Sequence, residues 1–306
     1  MPEKAAVEGG TQSRCGFVAV LGAPNVGKST LINRLVGSKV SIVSPKVQTT
    51  RSRILGIVVH GQAQLVLIDT PGIFVPRRRL DRAMVAAAWS GATDADAVVL
   101  LVDSSKGITR DTSDIVTRLK ARQRPAILAL NKIDLVKKPV LFDLAAKLTA
   151  AGIFTDTFMI SAHTGDGVGD LLGCLVERLP PGPWLFPEDQ ISDMPMRLLA
   201  AEITREKLYL QLRQELPYAT AVETERWTEQ DDGSARIDQV IYVLRPNQKG
   251  IVLGKRGQQI KSIGAAARTE LEALLERRIH LFLYVKVRDW SDDPERYRDF
   301  GLDFNV

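Results

Sequence analysis

The sequence is poor in the residues that build disulfide frameworks and metal centres. Its 306 residues include two cysteines and three histidines. Cys15 and Cys174 lie far apart, and neither belongs to a CxxC or Cys/His cluster, so both read as reduced, partly buried thiols. His60, His163 and His280 are scattered, which argues against a histidine-based metal site. No apolar run reaches the ~18–20 residues that a bilayer span requires. The opening MPEKAAVEGGTQSR has no apolar signal-peptide core, so residues 1–14 read as a disordered lead-in of a cytosolic protein. Internal repeats and long low-complexity tracts are also missing. The bulk composition, 45% hydrophobic and 25% charged, is that of a soluble globular protein. The length suits two domains better than one.

Formal net charge is only +5, but its distribution is uneven. From Phe186 to Val306 there are 18 basic and 21 acidic residues, a net of −3. Within that half, Gln239 to Thr269 holds six basic residues and no acidic one. A basic island in an acidic setting is a footprint for a nucleic-acid backbone.

Up to about residue 179 the pattern alternates. GFVAVLG (16–22), QLVLIDT (64–70), DAVVLLVD (96–103), PAILALNKID (125–134) and TFMISA (157–162) read as buried strands. KSTLINRLVG reads as a helix stopped at Gly37, and another helix lies around Leu171–Leu179. The expected fold class is therefore α/β, a mostly parallel sheet with right-handed crossovers, and the phosphate-loop and base-reading motifs described below make it a P-loop, Ras-like one. LPPGPWLFP (179–187) cannot continue a helix or a central strand and marks a domain boundary. Beyond it come an amphipathic helix (196–216), two strands flanking QDDG, two helices separated by GKRG, and the strand HLFLYVKV. That α-β-β-α-α-β order is an α+β unit. The partition is a G domain at 15–180, a linker at 181–194, the second unit at 195–289 and a C-terminal tail at 290–306.

Each sharp motif follows a strand's C-terminal end, where open α/β sheets bind ligands. Gly22-Ala23-Pro24-Asn25-Val26-Gly27-Lys28-Ser29-Thr30 contains G-x-x-x-x-G-K-[ST] in full. Its backbone N–H groups and the following helix N-terminus suit phosphate oxygens. Lys28 would meet the β- and γ-phosphates, and Ser29 would ligate Mg²⁺. Asn131-Lys132-Ile133-Asp134 selects the base. The Asp134 carboxylate can accept from guanine N1–H and the 2-amino group, and adenine would leave a buried Asp134 unpaired. Asn131 would brace the loops, the Lys132 stem would cover a base face, Ser161 would shape a turn, and the Ala162 N–H would meet guanine O6. Asp69-Thr70-Pro71-Gly72 supplies a water-mediated Mg²⁺ ligand at Asp69 and a γ-phosphate donor at the Gly72 N–H. Gln48-Thr49-Thr50-Arg51-Ser52 sits where a switch loop belongs. Thr50 is the favoured Mg²⁺ ligand, with Thr49 as runner-up.

The implied reaction is attack of water on the γ-phosphoryl group, giving GDP and phosphate. Lys28, Thr50, Asp69 and Gly72 carry it. Ile73 stands where many GTPases place a water-orienting glutamine, which implies slow intrinsic turnover. A K⁺ ion held partly by Asn25 is the candidate substitute. The run Arg77–Arg79 reads as a solvated surface rather than an RNA contact. In the second unit, Gly254-Lys255-Arg256-Gly257 has the form of a GXXG clamp for a single strand. Lys249, Gly250, Ile251, Val252, Ile260 and Lys261 surround it as RNA-binding candidates. HLFLYVKV reads as sheet core rather than a stacking platform. Two other readings stay open: an RNA-binding or membrane-tethering protein with a structural nucleotide, and a P-loop kinase.

The G motifs, followed by AEITREKLYLQLRQELPY and GIVLGKRGQQIKSIG, resemble the Era family of ribosome-assembly GTPases over about Cys15 to Asp289. That resemblance implies a type II KH domain binding the 3′ end of 16S rRNA and a role in 30S subunit biogenesis and 16S rRNA processing. It further implies a cytoplasmic protein with peripheral association with the inner face of the cell membrane. The expected partners are small-subunit rRNA and the pre-30S or 30S subunit, not DNA, and the chain is expected to be a monomer. Val47 stands where a proline often precedes QTT, and Ser52 where a histidine often follows TTR.

Overall fold

The computed structural model describes residues 13–46, 49–51, 53–76, 78–213, 216–290 and 293–306. The first unit runs β1 (Arg14–Leu21), α1 (Lys28–Val36), β2 (Ile54–His60), β3 (Ala63–Asp69), α2 (Arg79–Asp94), β4 (Ala97–Asp103) and α3 (Arg110–Ala121). It continues through β5 (Ala126–Asn131), α4 (Lys138–Thr149), β6 (Phe154–Met159) and α5 (Val168–Arg178). The sheet order is β2-β3-β1-β4-β5-β6. Every pairing is parallel except β2 with β3.

Burial explains the sequence pattern. All residues of β3 and β4 are buried, because helices cover both faces of the sheet. One core packs Leu31, Ile32, Leu171 and Leu175 of α1 and α5 against the strands. The other packs Val85, Ala88, Ile115, Leu119, Leu144 and Leu148 of α2, α3 and α4. α1 ends as expected at Gly37, whose φ of 79° and N–H bond to the Asn33 carbonyl close the last turn.

The second unit runs α6 (Met196–Gln211), β7 (Thr220–Glu229), β8 (Ala235–Val243), α7 (Pro246–Leu253), α8 (Gln258–Leu275) and β9 (Ile279–Val287). The order is the expected one. β7 and β8 are antiparallel and β8 and β9 parallel, giving a three-stranded sheet. α6 ends at Gln211 rather than 216, with Leu212 extended. It is also buried on more than one side, including Glu202, Thr204, Arg205 and Glu206. β9 is only half core: Ile279 and Val285 are buried, but Phe282 and Tyr284 are exposed.

The flanking segments are packed. The linker lies along the first sheet, with the Ile57 N–H donating to the Ile191 carbonyl and Gln64 Nε2 to the Phe186 carbonyl. Residues 290–306 include α9 (Pro294–Asp299), and Trp290, Tyr297, Phe300 and Leu302 are buried. They pack with Leu80, Ala83 and Met84 of α2 and with Ala221, Val240 and Tyr242 of the second sheet. The two units therefore share a core.

Candidate nucleotide site and nucleic-acid interface

The loop between β1 and α1 wraps its own lysine. Lys28 is buried, and its Nζ donates to the carbonyls of Gly22 and Ala23, each at 3.2 Å. Burial pulls its pKa down to about 8, with Asp69 opposing. Gly27 has φ 101°, and a Cβ there would lie 2.4 Å from Asn131 Nδ2. Glycine is therefore required where Asn131 donates to the Val26 carbonyl at 2.8 Å. Thr30 borders the same cavity of about 390 Å³ with Pro24, Asn25, Lys28, Ser29, Thr50 and Gly72. Asn25 Nδ2 donates to the Pro45 carbonyl at 2.7 Å.

Asp69, at the end of β3, is fully buried. Its Oδ2 accepts from Ser41 (2.6 Å), Ser29 (2.9 Å) and Thr50 (3.3 Å). Its Oδ1 is buried without a hydrogen-bond partner among the described residues. Burial raises the Asp69 pKa, and the three hydroxyls and Lys28 pull it back. Thr50 Oγ1 also lies 3.0 Å from Ser29 Oγ. Thr49 turns away, donating to the Lys46 carbonyl at 2.7 Å and lying 2.9 Å from Ser44 Oγ. An orphaned carboxylate oxygen beside two hydroxyls is an oxygen donor set that fits a hard cation such as Mg²⁺. Ser41 belongs to no motif and was not anticipated. Gln48 and Ser52 lie outside the described residues, as do Val47 and Arg77.

Thr70 to Gly72 pack against β1 and the phosphate loop. Thr70 Oγ1 donates to the Val20 carbonyl at 2.7 Å. Pro71 is buried, and a Cβ at Gly72 would come within about 3.0 Å of Pro24. Ile73 is buried in the core, with its N–H on the Gly22 carbonyl at 3.1 Å.

At the base end, Asn131 is buried and ties three segments together. Besides its bond to Val26, its Oδ1 accepts from the Ala162 N–H at 2.9 Å. That N–H was expected to meet guanine O6; it is committed to Asn131 instead. Lys132 adopts φ 66° and donates to the Asn25 carbonyl (2.8 Å) and Asp103 Oδ2 (2.7 Å). Asp103 was not anticipated, although it ends an apolar strand as Asp69 does. Burial would raise its pKa, but the bonds from Lys132 and Ser105 outweigh that and hold it low. Asp134 is exposed rather than buried, and its Oδ1 accepts from Ser161 Oγ at 2.6 Å. Ile133 is half-buried, its N–H on the Ile160 carbonyl.

In the second unit, α7 ends at Gly254 and α8 begins after Gly257. Gly254 has φ 71°, and a Cβ there would lie 2.5 Å from Gln259 Cβ. Arg256 is left-handed at φ 52°, within the turn that joins the two helices. Lys249, Gly250, Ile251, Lys255, Arg256 and Lys261 are exposed. None of those four cations is ion-paired among the described residues. Val252 is different: it is fully buried in the core with Ile263 and Val285, on the inward face of α7, so it cannot touch RNA. Ile260 is half-buried and packs against the same core.

A family profile described as "50S ribosome-binding GTPase" matches residues 17–132, and one described as "KH domain" matches residues 215–291. Fold and site thus define a Ras-like G domain followed by a KH domain. The chain is 60% identical over 303 residues to GTPase Era of Rhizobium meliloti, covering 99% of this chain and 97% of that protein. It is 59% identical to GTPase Era of Brucella suis over 96% of this chain and 95% of the relative. It belongs to the Era family. Among solved structures, Aquifex aeolicus Era Y63A bound to GDP·AlF4⁻ superposes with a TM-score of 0.89 at 40% identity, covering 94% of this chain and 99% of that one. Era in complex with MgGDPNP and nucleotides 1506–1542 of 16S ribosomal RNA matches equally well.

Proposed function

We propose that the chain is a GTP-hydrolysing switch whose KH unit binds the 3′ end of 16S rRNA and which acts in 30S subunit biogenesis and 16S rRNA processing. The observation that carries this reading is one chain joining two sites. Ser29, Thr50 and Asp69 meet beside a buried Lys28, and an exposed Lys255-Arg256 turn joins α7 to α8.

Water attacks the γ-phosphorus, and the bond to the β–γ bridging oxygen breaks, releasing GDP and phosphate. Lys28 and the N–H groups of residues 23–30 hold the phosphates. The Gly72 N–H meets the γ-phosphate. Ser29 and Thr50 would ligate Mg²⁺, with Asp69 holding it through water. When bound, Mg²⁺ supplies positive charge at the β- and γ-oxygens. Asp134, set by Ser161, reads guanine. Ile73 offers no polar atom to the water, so intrinsic turnover is slow. Asn25 would help hold a K⁺ ion that would supply the missing charge; an unchanged rate on replacing K⁺ by Na⁺ would discard that part.

The working partition is 15–180, 181–194, 195–289 and 290–306. The chain acts as a monomer in the cytoplasm, with peripheral association at the inner face of the cell membrane. Among the described residues no helix is long and apolar enough to cross a membrane. Titration with GTP and ATP, and with a single-stranded copy of the 16S rRNA 3′ end, tests the reading. Equal affinity for the two nucleotides, or no RNA binding, overturns it.

A further inference from the structure

Arg51 lies one residue from Thr50, yet its side chain belongs to the other unit. The guanidinium is 1% exposed. Nη1 donates to the Thr220 carbonyl at 2.8 Å, and Nη2 to Tyr209 Oη at 2.9 Å and the Tyr218 carbonyl at 3.3 Å. It also lies 5.0 Å from the centre of the Trp290 ring and 5.8 Å from that of Tyr209. Among the described residues no carboxylate is ion-paired with it, although Glu202 favours its charge through space and Arg205 opposes it; carbonyl dipoles and ring faces from α6, the turn before β7 and the C-terminal segment surround it. On the other side of Thr50, Arg205 of α6 donates to the Thr49 carbonyl while paired with Glu202. Further back in the same segment, the Glu206 carboxylate accepts from the Val43 N–H at 2.8 Å and from Lys39.

Thr50 is therefore held on both sides by groups of the KH unit. Among the described residues, the G domain contributes the contacts of the Thr50 hydroxyl with Ser29 and Asp69. The buried arginine fills an interdomain slot. Its position beside the threonine assigned to Mg²⁺ gives it a consequence that packing elsewhere would lack.

We propose that Arg51 is a positioning residue: by anchoring in the slot between Tyr209, Thr220 and Trp290, it pre-sets Thr50, so that the KH unit contributes to the preference for GTP over GDP. The proposal rests on the reading of Thr50 as a Mg²⁺ ligand. Binding of GDP does not call on Thr50, so the anchor affects triphosphate affinity selectively. Any surface that moves α6 or β7 would reach Thr50 by the same route.

The test uses the full chain with Mg²⁺ and measures affinity for GDP and for a non-hydrolysable GTP analogue. Arg51→Ala is expected to weaken the analogue about tenfold and to leave GDP within about twofold. Tyr209→Phe keeps the ring and removes one bond to Arg51, so it gives a smaller shift in the same ratio and serves if Arg51→Ala fails to fold. Thr50→Ala separates the two readings. If it abolishes the preference while both anchor variants leave the ratio at its original value, the anchor proposal is wrong and the Thr50 assignment stands. If Thr50→Ala itself leaves the ratio unchanged, both fall.

Discussion

Ser161 donates its hydroxyl to the carboxylate of Asp134 at 2.6 Å, across the gap between the loops that follow β5 and β6. The Thr164 N–H donates back to the same hydroxyl at 3.1 Å. The exposed carboxylate is thus aimed by its neighbour rather than by burial. Its remaining lone-pair directions can accept from two N–H donors in one plane, the pattern on the edge of guanine.

Asp134→Asn inverts the donor and acceptor arrangement at that edge. It is expected to weaken GTP by about 10²-fold or more and to move preference toward xanthosine triphosphate, whose 2-oxo group can accept from the new amide. Ser161→Ala removes only the aim, with an expected cost of about 1 kcal/mol, roughly fivefold in GTP affinity. Competition titrations with GTP, XTP and ATP read both. ATP replacing GTP as the preferred ligand in either variant would contradict the assignment of Asp134.

The buried lysine gives the site a pH dependence. Lys28 in the folded chain has a pKa of about 8 against an ordinary value of 10.5, because burial disfavours its charge. Between those values the unfolded chain binds more protons, so this group's contribution to stability grows as pH rises through the window and falls away as pH drops through about 8. Nucleotide binding has the opposite sign. A phosphate-bound Lys28 must be charged, so above about 8 the free protein has to take up a proton to bind. Affinity is expected to be flat on this account near neutrality and to fall by up to about tenfold per pH unit toward pH ~9.5. Lys28→Met should bind weakly and show no such slope. A flat profile in the unaltered chain would contradict a proton uptake at Lys28.

The phosphate loop and its strand-helix setting were legible because their causes are local. A glycine with φ 101°, a lysine and two hydroxyls act within nine residues. The buried strands were legible because helices on both faces leave no polar side. β2 was missed: ILGIVVH pairs antiparallel with β3 on the sheet edge, and its continuous apolar run carries no turn signal in front of it. The packing of residues 290–306 was illegible for a different reason. Trp290, Tyr297 and Phe300 meet Leu80 and Met84 some two hundred positions earlier, and nothing in either segment names the other. Ser41 on Asp69 and Ala162 on Asn131 are of the same kind, single contacts set by loop geometry.

The contrast between two neighbours on α7 tests the nucleic-acid face. Ile251 is 55% exposed beside the Gly254–Gly257 turn, while Val252 is fully buried. Val252→Ala should lower unfolding stability by about 1–3 kcal/mol, with RNA affinity of the folded protein unchanged. Ile251→Ala should do the reverse, sparing stability and weakening RNA through lost apolar contact with a base. Replacing Lys255 and Arg256 together by alanine removes two cations, so the dependence of log affinity on log salt should become shallower by roughly 1.4 for a single strand. Thermal melts and RNA titrations at several salt concentrations separate these outcomes. If the double variant kept both its affinity and its salt slope, the strand would not pass over this turn, and the basic island would have to act elsewhere on the surface.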